Sequence, residues 1–419
     1  MNHEALRIDR ERLLARLDAL AGIGAIDGGG CCRLALTDDD RLGRDLVVAW
    51  MRELGLSVTI DAIGNVFGLR PGRNSSAPPV MTGSHIDTVR TGGRYDGNLG
   101  VLAGLEVVHA LNDAGIITER PLVVAFFTDE EGARFAPDML GSLVYVGGMT
   151  LAEALEVRAI DGARLGDELA RIGYAGDAPP GVHRPHAFVE LHIEQGPVLD
   201  IEGLTIGAVQ DLQGISWQEL TITGQSNHAG TTPMRLRHDA GFAAASVATF
   251  VRGLAREMGG AQVATVGKID LHPNLINVIA ARATLTVDLR NTDESLLREA
   301  ESRLTGFLAQ LAHDEGVAIS SRSLARFEPV IFDQRVVERI ESVATRLGLS
   351  QRRMTSGAGH DAQMLARLCP TAMIFVPSVR GISHNPAEHT EAADLEAGAN
   401  VLLHTLLGLA DDTSELPTG

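Results

Sequence analysis

The sequence predicts an α/β fold, a central mixed sheet flanked by helices, interrupted by a smaller α+β unit. Three observations carry this. Short apolar runs at 80–84 and 122–128 enclose an apolar-periodic segment at 99–114, the strand, helix, strand order of a buried sheet covered by helices. From residue 214 the texture changes: 215–223 and 283–289 alternate strictly, as half-buried antiparallel strands do, and 239–258 and 293–312 have helical periodicity. Near residue 327 the first texture returns. These shifts imply a discontinuous main domain, 1–213 with 326–419, and an insertion at 214–325 of a size that suits one domain.

The elements follow in order. Leucines 13, 14, 17 and 20 recur at helical spacing with charges opposite them, which predicts an opening amphipathic helix over 9–20. A second helix is expected at 39–54, then a hairpin over 57–69 around Ile63-Gly64-Asn65. A Pro/Ser/Asn-rich loop at 71–79 leads into the strand, helix, strand unit. Beyond the insertion, with its antiparallel sheet and two helices, the sequence predicts a helix at 335–347, a strand at 371–376 and a last helix at 392–409. A polar tail occupies 411–419.

Composition removes several functions. The chain has 419 residues, 36 Lys plus Arg against 54 Asp plus Glu, and a formal charge of −18, which disfavours a grip on nucleic acid phosphates. The longest nearly apolar stretch, 241–251, is far short of the roughly 20 residues of a bilayer span, so no membrane partner is expected. Three cysteines, with Cys31 and Cys32 adjacent, give no disulfide framework, and residues 1–20 lack an apolar leader core; a cytoplasmic location is expected.

Histidines and carboxylates collect where predicted strands end. Gly83-Ser84-His85-Ile86-Asp87 follows one apolar run, Thr128-Asp129-Glu130-Glu131-Gly132 ends another, and His192 and His384 lie near the ends of two more. Asp96 falls in the loop Tyr95-Asp96-Gly97-Asn98. Open α/β sheets place ligands at that edge. Imidazoles with carboxylates suit Zn²⁺ or a similar ion. Five side chains, His85, Asp96, Glu131, His192 and His384, are too few for two separate four-coordinate sites. They suffice if one carboxylate bridges two ions and water completes the shells.

The segments G-S-H-I-D-T-V at 83, Y-D-G-N-L-G at 95, D-E-E-G at 129, E-L-H-I-E-Q-G-P-V-L at 190, S-N-H-A-G-T-T-P-M at 226 and S-H-N-P-A-E-H-T at 383 resemble the hydantoinase/carbamoylase branch of the M20 metallopeptidase-like amidohydrolases. The resemblance implies two divalent metal ions per subunit, Zn with Mn, Co or Ni as alternatives. Asp96 would bridge them, His85 and His192 would bind one, and Glu131 and His384 the other. It makes Glu130 the general base, with Asp87 hydrogen-bonded to the His85 imidazole. Substrate would be held by Gln195, His228, Asn277, Arg290 and the Gly357-Ala358-Gly359-His360 loop, with Arg290 the fork for a carboxylate. The implied activity is hydrolysis of the ureido C–N bond of an N-carbamoyl-L-amino acid, a small anionic ureido acid. Allantoate amidohydrolase and β-ureidopropionase chemistry, and a catalytically silent binding protein, are the alternatives. The insertion would be a lid and dimerisation domain with a four-stranded antiparallel sheet and two helices, making a homodimer. Ala133 and Ala280 depart from the family's frequent Ser and Pro. The competing reading of Arg290 is an ion pair with Asp288. Gly357-Ala358-Gly359-His360-Asp361-Ala362 fits a dinucleotide pattern, but residues 351–353 are not an apolar strand and no acidic residue follows about 20 positions on, so that reading is rejected.

Overall fold

The computed structural model describes residues 5–412; the last seven residues of the polar tail lie outside that range. The chain forms two compact units, one running to Gln210 and resuming at Ile331, the other Asp211–Val330. Among the described residues the strands are β1 (Ser57–Ile60), β2 (Val66–Arg70), β3 (Val80–His85), β4 (Leu122–Phe127), β5 (Ala187–Ile193), β6 (Ile206–Leu212), β7 (Gly214–Thr223), β8 (Val263–His272), β9 (Arg282–Asn291), β10 (Ala318–Phe327), β11 (Val330–Ile331), β12 (Gln351–Ser356) and β13 (Thr371–Val376).

The larger unit is built on a nine-stranded mixed sheet in the order β1-β2-β4-β3-β5-β13-β6-β11, with β12 paired to β6. Its centre, β4-β3-β5-β13, is parallel, with His85 opposite Phe127 and His192 opposite Phe375. All six residues of β4 and of β13 are buried, which is why these strands read as unbroken apolar runs. Parallel pairing brings the carboxyl ends of all four strands to one edge. There the chain delivers His85, the 128–132 turn, His192 and the 377–384 loop.

The hairpin β1–β2 pairs antiparallel from Ser57↔Leu69 to Ile60↔Val66. Its turn is fastened by Asp61, whose Oδ1 accepts the N–H groups of Ile63 (3.2 Å) and Asn65 (2.9 Å). The helix Asn98–Asp113 is buried over most of its length. Gly100 lets its first turn press on the sheet, since a Cβ there would come 2.6 Å from the Leu191 carbonyl oxygen. That close approach lowers the Asp96 loop onto the strand ends.

The smaller unit has a four-stranded antiparallel sheet, β10-β7-β9-β8. Alternate residues Ala283, Leu285, Val287 and Leu289 of β9 are buried in one cluster with Val247, Val251 and Leu254 of the helix Ala240–Met258 and Leu297, Leu304 and Leu308 of the helix Glu294–Glu315. Phe250 and Phe307 stack between the helices at 4.0 Å. β10 continues to Phe327, two residues past the expected end of the insertion.

Residues 351–353 lie in a strand, β12, though not an apolar one. It is a polar, half-buried strand because Arg352 pairs with Glu202 (2.5 Å) and Arg353 with Glu341 (2.8 Å). The dinucleotide reading still fails. The strand before the 357–362 segment is polar rather than apolar, and no acidic residue stands about 20 positions on. No helix among the described residues is long and apolar enough to cross a membrane.

Candidate metal centre

His85 closes β3 and points its Nδ1 at the main-chain oxygen of Asp87, 3.0 Å away. A carbonyl only accepts, so the proton sits on Nδ1 and Nε2 turns a lone pair towards Asp96 Oδ1 (3.5 Å) and Glu130 Oε2 (3.3 Å). His192 repeats the device. Its Nδ1 lies 2.8 Å from the Ile193 oxygen, and its Nε2 accepts the Gly97 N–H (3.1 Å) and faces Asp96 Oδ1 at 3.2 Å. Gly97 has φ 66°, and a Cβ on it would overlap the His85 ring, so this turn needs glycine for both reasons.

Asp96 is divided between two neighbourhoods. Its Oδ1 faces His85 and His192, and its Oδ2 faces His384 Nε2 at 3.5 Å; His384 in turn lies 3.3 Å from Glu131 Oε2. His85, Asp96 and His192 form one group whose ligand atoms all lie within 4.8 Å of one another, and Asp96, Glu131 and His384 form a second. A third such group among the described residues, Glu190, His192 and His360, shares His192 with the first.

The donor chemistry fits cations. Imidazole lone pairs facing carboxylate lone pairs repel unless a proton or a metal ion lies between them. Without an ion the protons move accordingly. Burial opposes a charge on His85, yet Glu130, Asp96, Asp87 and Glu131 push its pKa well above the usual histidine value. Hydrogen bonds donated to Asp96 and Glu131 push His384 up to about 10. Burial, with Asp361, Glu131 and Asp96 adding to it, raises Glu130 well above an ordinary glutamate.

Asp87 departs from expectation. Its carboxylate is 3.9 Å from the His85 ring nitrogen, too far for a hydrogen bond, and instead accepts the main-chain N–H of Glu130 on Oδ1 and of Glu131 on Oδ2, both at 3.3 Å. The strand ends at His85, so the chain turns and puts the Asp87 carbonyl, not its side chain, against the imidazole.

Gln195, at φ 57°, donates to Asp96 Oδ2 at 2.8 Å. His360 is buried, with its Nε2 3.0 Å from Ser356 Oγ and its ring edge-on to His192 at 4.5 Å; Gly359 lies against Met139. The remaining expected residues belong to the smaller unit. The main-chain bridge His228↔Val278 makes His228 and Asn277 neighbours, and both are exposed. His228 Nδ1 accepts the N–H groups of Gly230 (3.0 Å) and Thr231 (3.2 Å), which leaves its proton on Nε2. Arg290 does pair with Asp288, at 2.9–3.1 Å, and lies 5.7 Å from the centre of the Trp217 ring. Sequence reasoning missed Glu388, which stands in the last quoted motif and whose carboxylate meets the Asp96 loop.

Residues 81–408 match the model of peptidase family M20/M25/M40. The chain is 43% identical over 408 residues to the N-carbamoyl-L-amino-acid amidohydrolase of Rhizobium meliloti, covering 97% of this chain and 98% of that one. It is 36% identical over 406 residues to the allantoate amidohydrolase of Escherichia coli (strain K12), covering 96% and 98%. The crystal structure of an amidase of the hydantoinase/carbamoylase family from Burkholderia multivorans is similar with a TM-score of 0.92 at 48% identity, over 97% of this chain and 99% of that one. With the motifs, the split carboxylate and these likenesses together, the chain belongs to peptidase family M20/M25/M40, in its hydantoinase/carbamoylase branch.

Proposed function

We propose that the protein hydrolyses the ureido C–N bond of N-carbamoyl-L-amino acids, one water being consumed and the free amino acid, ammonia and carbon dioxide released. The observation that carries this reading is the Asp96 carboxylate, whose two oxygens face two different groups of ligands with Glu130 beside them. His85, Asp96 and His192 would hold one divalent ion, and Asp96, Glu131 and His384 the other; Zn²⁺ is the proposed ion, with Mn, Co or Ni able to replace it. Bound there, such ions supply Lewis acidity that polarises a carbonyl and acidifies water.

The rest falls to the chain's own residues. Glu130, buried and held by its main-chain amide, takes a proton from the attacking water and returns it to the departing nitrogen; its raised pKa suits both halves of that transfer. His228, protonated on Nε2, and Asn277 donate to the ureido oxygen as charge gathers there. Arg290 receives the substrate carboxylate with its fork held in place by Asp288 and Trp217. Gln195, Gly359 and His360 shape the substrate's surroundings.

The smaller unit serves as lid and homodimer interface in this reading, and the three free cysteines suit the cytoplasm. Allantoate is the second reading, favoured by the similarity to the Escherichia coli enzyme. The test compares kcat/KM across N-carbamoyl-L-α-amino acids, N-carbamoyl-β-alanine and allantoate with one defined metal. N-carbamoyl-L-α-amino acids should rank first; allantoate ranking first would assign the second reading instead.

A further inference from the structure

Glu388 follows His384 by four residues and has no part in the chemistry above, yet it is only 5% exposed. Its Oε1 accepts the main-chain N–H groups of Tyr95 (3.0 Å) and Asp96 (3.2 Å). Its Oε2 accepts from Ser383 Oγ at 3.3 Å, and the same hydroxyl lies 3.3 Å from Asp96 Oδ2. One side chain thus ties together the loop that carries Asp96 and the loop that carries His384. Space is reserved for it: a Cβ on Gly93 would overlap the Glu388 carboxylate, and Gly30 lets the chain pack against Pro386.

The two ligand groups differ in what places them. His85 and His192 belong to β3 and β5, whose register fixes them. His384 belongs to no strand, is half exposed, and sits at φ 52°, its carbonyl held by Thr91 Oγ1 (3.2 Å). We propose that Glu388 is a positioning residue that joins the Asp96 loop to the His384 loop and so sets the affinity for the ion held by Asp96, Glu131 and His384. This rests on the two-ion reading above. Losing Glu388 leaves two buried amides without an acceptor and frees the His384 loop, while the strand-borne histidines keep their places.

The experiment titrates metal-stripped wild type, Glu388→Ala and Glu388→Gln with Zn²⁺ against a chromophoric chelator, alongside thermal denaturation of the stripped proteins and kinetics at saturating metal. Wild type should take up two equivalents. Glu388→Ala should bind the first within about 3-fold of wild type and the second roughly 10–100-fold more weakly, the range for lost supporting contacts at metal sites. Its KM at saturating metal should be unchanged. Glu388→Gln, whose amide oxygen still accepts both N–H groups, should recover most of the second affinity. Equal weakening of both equivalents, wild-type binding by Glu388→Ala, or a glutamine variant as impaired as alanine would overturn the proposal. Wild type that takes up only one equivalent would overturn the two-ion reading itself. Should Glu388→Ala not fold, Ser383→Ala cuts the same link from the other loop; a several-fold loss confined to the second equivalent supports the proposal, and no loss refutes it.

Discussion

Replacing Asp87 by alanine removes the side-chain acceptor of two consecutive amides, that of Glu130, which is buried, and that of Glu131, which is part-buried. An unsatisfied buried N–H costs about 1–3 kcal/mol; at 3.3 Å, and with the second amide only part-buried, the pair is worth about 1–2 kcal/mol. The functional cost is larger, because the segment being released carries the proposed base, and displacing a catalytic group by about 1 Å can cost about 100-fold. Asp87→Ala should therefore lower kcat roughly 100-fold with little change in KM. Asp87→Asn, which keeps one acceptor and opposes the other N–H with its own amide, should lose roughly 10-fold. The main-chain oxygen facing His85 survives both changes, so the ion on the His85 side should still bind. A pH profile sharpens the test. Burial, aided by Asp40 and Glu131, pushes Asp87 up to about 6. Below that pH one oxygen carries a proton and the double acceptor is lost, so wild-type activity should fall on an acid limb near pH 6 that flattens in Asp87→Asn. The sign separates this from unfolding. A folded-state pKa raised above the unfolded value means that this residue's contribution to stability is lost as pH rises through 6 and recovered on acidification, so activity falls while the fold does not loosen here. Steady-state ammonia release with parallel denaturation is the assay. Unchanged kcat in Asp87→Ala, or a loss confined to KM, would refute the reasoning.

Arg44, fully buried, donates to Asp40 Oδ2 at 2.7 Å and to the Gly64 oxygen at 2.8 Å; Arg44→Leu strands the Asp40 carboxylate and should cost about 3–5 kcal/mol, read as a melting point lower by roughly 6–15 °C. Because His384 is pushed up to about 10 by Asp96 and Glu131, it is protonated at neutral pH in the metal-free protein. An ion taken up there must displace that proton, so affinity for the second equivalent should rise about tenfold per pH unit between 7 and 9, and calorimetry in buffers of different ionisation heat should count about one proton released. Arg290→Lys replaces a fork by a point charge and should lower kcat/KM roughly 10–100-fold for carboxylate substrates, with a much smaller effect on their amide analogues.

The strands β3, β4 and β13 were legible as short apolar runs because both their faces are buried, and β5 by its alternation up to His192. β8 and β12 were not. Most of β8 is exposed at the edge of its sheet, and β12 opens Gln-Arg-Arg, polar residues that a sheet margin tolerates once each arginine has a carboxylate. At the metal centre the five proposed ligands could be picked out because histidines and acids at strand ends stand out from an apolar background. Their partners could not. Whether Asp87 offers its side chain or its carbonyl depends on where β3 stops, and the link from Glu388 to Asp96 spans 292 residues with no local pattern to announce it.

The central claim is that two ions gathered by one shared carboxylate work with Glu130 on a ureido bond. It is tested most directly by titrating the metal-stripped protein with Zn²⁺ or Mn²⁺ while following ammonia release from an N-carbamoyl-L-amino acid, with Glu130→Gln run in parallel. Activity should appear only as the second equivalent binds, and Glu130→Gln should bind both equivalents yet turn over roughly 100-fold or more slowly. Full activity at one equivalent, or near wild-type turnover by Glu130→Gln, would contradict it.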